Sequence, residues 1–423
     1  MMKRVLARFR HIVAAIFFFW VSWAAAGMEA PTFAYTYQRA DGNRFVEGKG
    51  AFPNMTYVDV HLDGRPVWLV AATDRNAIIW AVVLEGGVTR ALRTVGKTVT
   101  SVDVKPSRLP GNTPPLLMIR NGKAQLLESS SSFTQAYSHP VLLPKSGKTA
   151  VIYRNGLLAL RGEKTELFDI DALPDARPVF DERERLLLLT GRTQDYSHGI
   201  LGDTIEAQSV TLIKTSPVAS ADPIISLRKG SVIEGTAPIW SDLNGDGLRE
   251  IILTVSDRNR GSRFVVFDED GFLTATGPAV GRGFRWRHQI AVAPFGPKGE
   301  MELVGVRTPH IGGVLEFFRL EGDTLRRTAH LKGYSSHVMG SRNLDMAAAG
   351  DFDGDGSIEL LLPLQSLDKL AAVRHTEEGA RSVWELLLPG KLTTNLAAAT
   401  LPDGSIVLGV GSDTHTLRLW LQH

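Results

Sequence analysis

Two nine-residue stretches carry the most telling chemistry of the chain, DLNGDGLRE at 242–250 and DFDGDGSIE at 351–359. Loop positions 1, 3 and 5 hold Asp242, Asn244 and Asp246 in the first and Asp351, Asp353 and Asp355 in the second. A glycine stands at position 6, and Glu250 or Glu359 at position 9. A hard divalent cation such as calcium gathers about six to eight oxygens at about 2.3–2.6 Å. Side chains at alternate positions can turn inward together, while glycine allows the sharp bend that wraps the chain round an ion. The position-7 carbonyls of Leu248 and Ser357 would complete each set. An EF-hand needs its glutamate at position 12 and helices on both sides, whereas an apolar β-type run follows at once here. The expectation is two structural calcium ions; the alternative is a pair of Asp/Gly-rich hairpin turns without metal.

These loops need strands to hold them, and the strands recur. The fullest unit runs APIWSDL (237–243), the acidic loop, EIILTVS (250–256), a polar turn, RFVVFDEDG (263–271) and FLTATG (272–277). Short β-rich runs between Gly/Asp/Asn turns read as four antiparallel strands, A to D. The second-strand signature of such a unit, an apolar run after a polar turn, appears at VWLV (67–70), LLMI (116–119), AVIY (150–153) and LLLL (186–189). It returns at IILT (251–254), ELVG (302–305), ELLL (359–362) and IVLG (406–409). The spacing matches one four-stranded propeller blade. The fold expectation is therefore all-β: a β-propeller of eight blades, with seven as the alternative. Three strands end the chain, so the missing outer strand of the last blade is assigned to TFAYTYQ (32–38), closing the ring with N- and C-terminal strands in one blade. The weaker acidic copies DVHLDG (59–64) and DERER (181–185) are expected to hold no calcium.

Residues 1–26 combine Lys3, Arg4, Arg8 and Arg10 with the apolar run IVAAIFFFWVSWAAA and an A-x-A site before Gly27, the pattern of a signal peptide. The run falls short of the ~18–20 residues that span a bilayer. The expectation is one propeller domain over 27–423, periplasmic or secreted, monomeric and without a transmembrane helix. Removing the leader takes the formal charge from +2 to −2 (2 − 4), so the basic pI argues for no nucleic-acid partner. With no cysteine at all, disulfides and thiolate metal sites are excluded, and an exported chain must rely on its core or on ions.

The nonapeptides 242–250 and 351–359 resemble the calcium loops of FG-GAP/VCBS-type repeats, the blades of integrin α-subunit propellers and of many bacterial secreted proteins. The resemblance implies a β-propeller with structural calcium at the A–B loops. It gives a fold and no chemistry.

In such a ring the A–B and C–D loops share one face, and the D–A and B–C loops the other. The second face collects His139, Arg285, Trp286, Arg287, His288, His337 and Arg342 on D–A connections, and Tyr196, His198 and His310 on B–C turns. A cationic, aromatic funnel of this kind suits an anionic or polyhydroxylated ligand. The alternatives are solvated loops with histidines bracing strands, or a transition-metal site assembled from several blades. No G-x-S-x-G, H-E-x-x-H or P-loop is present, so no catalytic residue is assigned. The functional expectation is a binding or scaffold module for an envelope protein or an anionic or glycan ligand. The alternative is a polysaccharide lyase-type enzyme using Arg and His of the funnel. Two long inserts, 192–209 and 215–235, are further recognition candidates.

Overall fold

The computed structural model describes residues 31–109, 113–127 and 137–422; the leader assigned to 1–26 lies outside them. Every element of regular structure among these residues is a strand. No helix is long and apolar enough to cross a membrane.

Most strands group into antiparallel sheets of consecutive strands, joined by hairpins. Pro66–Asp74, Ala77–Leu84, Thr89–Val95 and Thr98–Val102 form one; Ala348–Asp351, Glu359–Pro363, Lys369–Thr376 and Gly379–Leu387 form another. Between residues 179 and 332 the sheets are linked further, because Ser231–Ile233 pairs with both Glu206–Lys214 and Glu250–Asp257. Packing face to face explains the sequence pattern. A second strand is covered on both sides, so Glu250–Asp257 and Ala77–Leu84 are buried at every position. An outer strand meets a neighbour on one side only and alternates, as Thr165–Asp169 does. Seven of the eight apolar runs lie on strands paired along both edges; VWLV instead sits on the edge strand of its sheet, Pro66–Asp74. Between sheets the core interlocks, with Leu69, Trp80 and Leu92 of one against Val407, Leu417 and Leu419 of the next.

The expectation for 32–38 is corrected. Thr32–Ala34 pairs antiparallel with Leu116–Arg120. The strand that joins the C-terminal Thr416–Trp420 is Tyr57–His61, in register Tyr57↔Trp420 to His61↔Thr416. The reason is visible in YVDVH itself, whose alternation buries Val58 and Val60 partly against this sheet while Asp59 bonds Arg418 Nη2 at 2.6 Å. The segment reads as an acidic turn only if that alternation is ignored.

Between these two strands, residues 35–50 thread past the inner strands of sheet after sheet. Phe180 N donates to Ala40 O, Trp240 N to Asp41 O and Ala349 N to Arg44 O, each at 2.8–2.9 Å. Asn43 imitates a backbone: its Oδ1 accepts from Val292 N at 3.0 Å and its Nδ2 donates to Val292 O at 2.8 Å. Phe45–Lys49 then runs parallel to Ala348–Asp351. The crossing is so close that a Cβ on Gly42 would lie 2.4 Å from Pro238 O, and the φ there is +82°. This strap inserts Tyr35, Tyr37 and Val46 into the core and satisfies inner-edge donors that would otherwise be orphaned.

Candidate functional site

Both acidic loops sit between a first and a second strand and fold alike. The backbone N–H of Leu243 donates to Glu250 Oε2 at 2.6 Å, and that of Phe352 to Glu359 Oε2 at 2.9 Å. In each, position 5 accepts from the N–H at position 7: Leu248 N to Asp246 Oδ1 at 2.8 Å and Ser357 N to Asp355 Oδ1 at 2.9 Å. Gly247 and Gly356, at φ +86° and +91°, make the turn that a side chain would strain. The second loop gathers its oxygens more tightly. Asp351, Asp353 and Glu359 each present a carboxylate oxygen within 4.8 Å of the others, the one such trio among the described residues. Asp351 Oδ1 is buried and accepts no hydrogen bond, so the loop keeps a bare anionic oxygen facing its neighbours. Burial pushes the Glu359 carboxyl up to about 7, against the pull of Arg374, and burial with Asp242 and Asp246 raises that of Glu250. Oxygen donors of this kind suit a hard cation.

The sequence reading missed Arg374. From the third strand its guanidinium reaches Glu359 Oε1, Asp353 Oδ2 at 2.6 Å and Asp355 Oδ2 at 2.7 Å. A parallel arrangement stands in the preceding sheet, where Arg319 bonds Glu300 and Glu302 at 2.9 Å and His375 Nδ1 lies 2.7 Å from Glu302. An arginine projecting from a third strand toward the loop is a signal only once the register is known.

On the opposite face the structure brings most of the histidine set together. Trp286 is buried, stacked on His288 at 4.9 Å and His310 at 6.2 Å, with His337 edge-on at 5.1 Å. His337 Nε2 meets Ser341 O at 2.6 Å, which fixes its proton there and leaves Nδ1 to accept from His310 Nε2 at 2.8 Å. Burial holds all three imidazoles below their ordinary range, His337 at about 3, so the cluster is neutral. Beside it, His198 Nδ1 bonds Glu234 Oε1 at 2.6 Å, and Ser256 donates to the other oxygen. Phe284 stacks on His198 at 5.3 Å, with Tyr196 edge-on to Phe284 at 4.9 Å and its hydroxyl donating to Gly283 O. The rim is exposed: Phe284 at 49%, Ile311 at 78% and Met339 at 64%, with the Arg282 and Arg285 side chains in solvent.

Three of the ligand candidates do not reach this rim. Arg287 is buried and turned between sheets, bonded to Glu316 at 3.1 Å and lying over Phe264 and Phe318. His139 lies beneath the strap, stacked against Tyr37 at 5.7 Å, where burial lowers it to about 4. Arg342 is held by Asp175 at 3.2 Å and Asp203 at 2.5 Å over the Tyr137 ring, so its charge is spent internally. Of the two inserts, 192–209 brings Tyr196 and His198 to the rim. The stretch 215–235 supplies an outer strand, Ser220–Ser226, and the linking strand Ser231–Ile233.

No protein-family model matches this sequence, and no curated protein does. Among solved structures, the chain is similar to a europium-containing methanol dehydrogenase, with a TM-score of 0.52 at 10% identity over 91% of this chain and 90% of that one. A chain of a mitotic checkpoint complex aligns over 88% of this chain and 96% of its own at 12% identity, but at a TM-score of 0.37 it carries no argument. At such identities the first likeness speaks for the fold alone. This chain has an all-β, propeller-type fold.

Proposed function

We propose that this chain is an exported, calcium-stapled propeller of eight blades that binds an anionic or glycan ligand on the rim around Trp286. Eight is the count when each second strand is grouped with its neighbours, and the sheet uniting Tyr57–His61 with Thr416–Trp420 would close the ring. Kinship with FG-GAP/VCBS-type repeats rests on the two acidic loops, and a periplasmic or secreted, monomeric protein rests on the leader pattern and a ring that leaves no edge. Asp242, Asn244, Asp246 and Glu250 would hold one ion, and Asp351, Asp353, Asp355 and Glu359 the other, with the Leu248 and Ser357 carbonyls. The ions would supply structural charge neutralisation. Calcium then stabilises by mass action, about 2.7 kcal/mol at a hundredfold excess over Kd. The melting temperature is expected to fall by several degrees in EGTA for the native chain and to be insensitive to EGTA in Glu250→Ala/Glu359→Ala. Identical melting with and without calcium refutes the ions.

One observation carries the ligand reading. A neutral histidine–tryptophan floor lies under an exposed Phe284 and two solvent-facing arginines, which offer a stacking face beside forks for carboxylate or sulfate. On an array of acidic polysaccharides the mature protein should bind, and Phe284→Ala/Arg285→Ala should weaken binding at least tenfold. Capture of an envelope protein without any glycan signal would favour the scaffold reading. A lyase is the second reading, favoured by the Glu234 carboxylate that orients His198. It predicts unsaturated-sugar absorbance from uronate polymers, lost in His198→Ala.

A further inference from the structure

Three sheets carry a loop of the same length between a first and a second strand. The pairs Ser241↔Glu250, Ala293↔Glu302 and Gly350↔Glu359 bracket these loops, so the three glutamates hold one register position. The third strand sets what faces that glutamate. Continuing the ladders Leu303↔Phe318 and Leu360↔Val373 by one residue places Arg319 opposite Glu302 and Arg374 opposite Glu359. The ladder Ile251↔Phe267 places Asp268 opposite Glu250 instead. In the middle loop Pro294, Gly296 and Lys298 stand where the other two have acids or Asn244. There Arg319 Nη2 bonds Glu302 at 2.9 Å, so an arginine from the third strand neutralises the glutamate with no set of ion ligands beside it.

Loop 351–359 carries both devices at once. Its four carboxylates outnumber the three of loop 242–250, and ligand charge alone would make it the stronger calcium site. Yet Arg374, its side chain 15% exposed, already bonds three of the four: Glu359 Oε1, Asp353 Oδ2 at 2.6 Å and Asp355 Oδ2 at 2.7 Å. Asp351 is the acid it leaves, with Oδ1 buried and unpartnered among the oxygens of Asp353 and Glu359. In loop 242–250 no arginine or lysine bonds Asp242, Asp246 or Glu250 among the described residues. Their hydrogen bonds come from backbone N–H groups and from Asn244. A guanidinium and a divalent cation repel each other strongly when they share oxygens at such range. We propose that Arg374 is a resident cation of loop 351–359, competing with calcium for Asp353, Asp355 and Glu359, so that the ion binds there by displacing the guanidinium. The inference rests on the calcium reading of that loop. The displaced side chain has a place to go, a groove of about 460 Å³ that Arg374 already lines together with Glu377, Glu378 and Arg381.

Calcium itself is the probe, titrated calorimetrically into the protein carrying Glu250→Ala to silence the other loop. Adding Arg374→Gln should tighten the remaining site about tenfold or more, because the competing charge is gone. Arg381→Gln removes the cross-strand neighbour of Arg374, which bonds none of the loop acids, and should leave the affinity nearly unchanged. Crystals of the native chain soaked in calcium should show the ion beside Asp351 and Arg374 withdrawn from Asp353 and Asp355. A smaller gain from Arg374→Gln overturns the proposal, as does a gain that Arg381→Gln matches. So does a soaked crystal in which the loop holds an ion while Arg374 keeps its bonds. In each of these cases calcium is still bound and the reading of the loop as an ion site stands; no binding to any of the variants or to the native chain overturns both.

Discussion

Replacing Asp345 by alanine is expected to lower the unfolding free energy by about 3–5 kcal/mol, because it leaves two buried guanidiniums facing each other without a counter-charge. Few side chains elsewhere carry so much. Asp345 joins the strap, through Arg44 and Thr36, to Arg177, and Arg177 in turn holds Arg342 O at 2.9 Å. Arg44 and Arg177 hold the Asp345 carboxyl below the usual range although burial alone would raise it. Urea unfolding followed by tryptophan fluorescence measures the loss. Asp345→Asn, which keeps the shape but not the charge, should fall between the two, since an amide can still accept from the arginines. A loss below about 1 kcal/mol for the alanine variant would mean that solvent reaches the trio.

Removing the strap is expected to do more. A chain beginning at residue 51 keeps Tyr57–His61 for the C-terminal sheet but loses every bond from residues 35–50 to the inner strands. The N–H groups of Phe180, Trp240, Val292 and Ala349 would lose acceptors, each at a cost of about 1–3 kcal/mol when buried. The aromatic stack of Tyr35, Tyr37 and His139 would go with them. The expected result is a chain that fails to reach a cooperative native state, seen as loss of the thermal transition and of near-ultraviolet circular dichroism. Supplying a peptide spanning 31–50 should restore part of the transition if the strap acts by filling this path. A truncated chain that melts as the native one does would refute the role assigned to it.

The parts legible in the sequence were those fixed by short-range chemistry. Loops 242–250 and 351–359 announce themselves because turn glycines and alternate acids must be adjacent to work, and both stand as turns between a first and a second strand. The second strands were legible because burial on two faces leaves an unbroken apolar run. Asp59 misled, since one acid beside HLDG looks like a turn, whereas the alternation of Tyr57–His61 is what the sheet reads. The face shared by Trp286, His198, His310 and His337 followed from loop order alone. Which of its members point outward did not, because Arg287 and His139 differ from Arg285 and His198 only in what packs over them. The strap was invisible for the same reason: its bonds run to residues from Phe180 to Gly404, up to 358 positions away, and leave no local period.

The path of residues 35–50 has a consequence for how the chain must assemble. Synthesis delivers this segment some three hundred residues before Asp345, Ala349, Leu396 and Gly404, to which it is bonded. The segment's bonds to Phe180, Trp240 and Val292 can form earlier, but the set is complete only once Gly404 has been made. Contacts of such long sequence separation slow folding and leave apolar strands open meanwhile. Holding residues 35–50 out of trouble until then, by a chaperone, would matter more for this architecture than for one built outward from neighbouring hairpins.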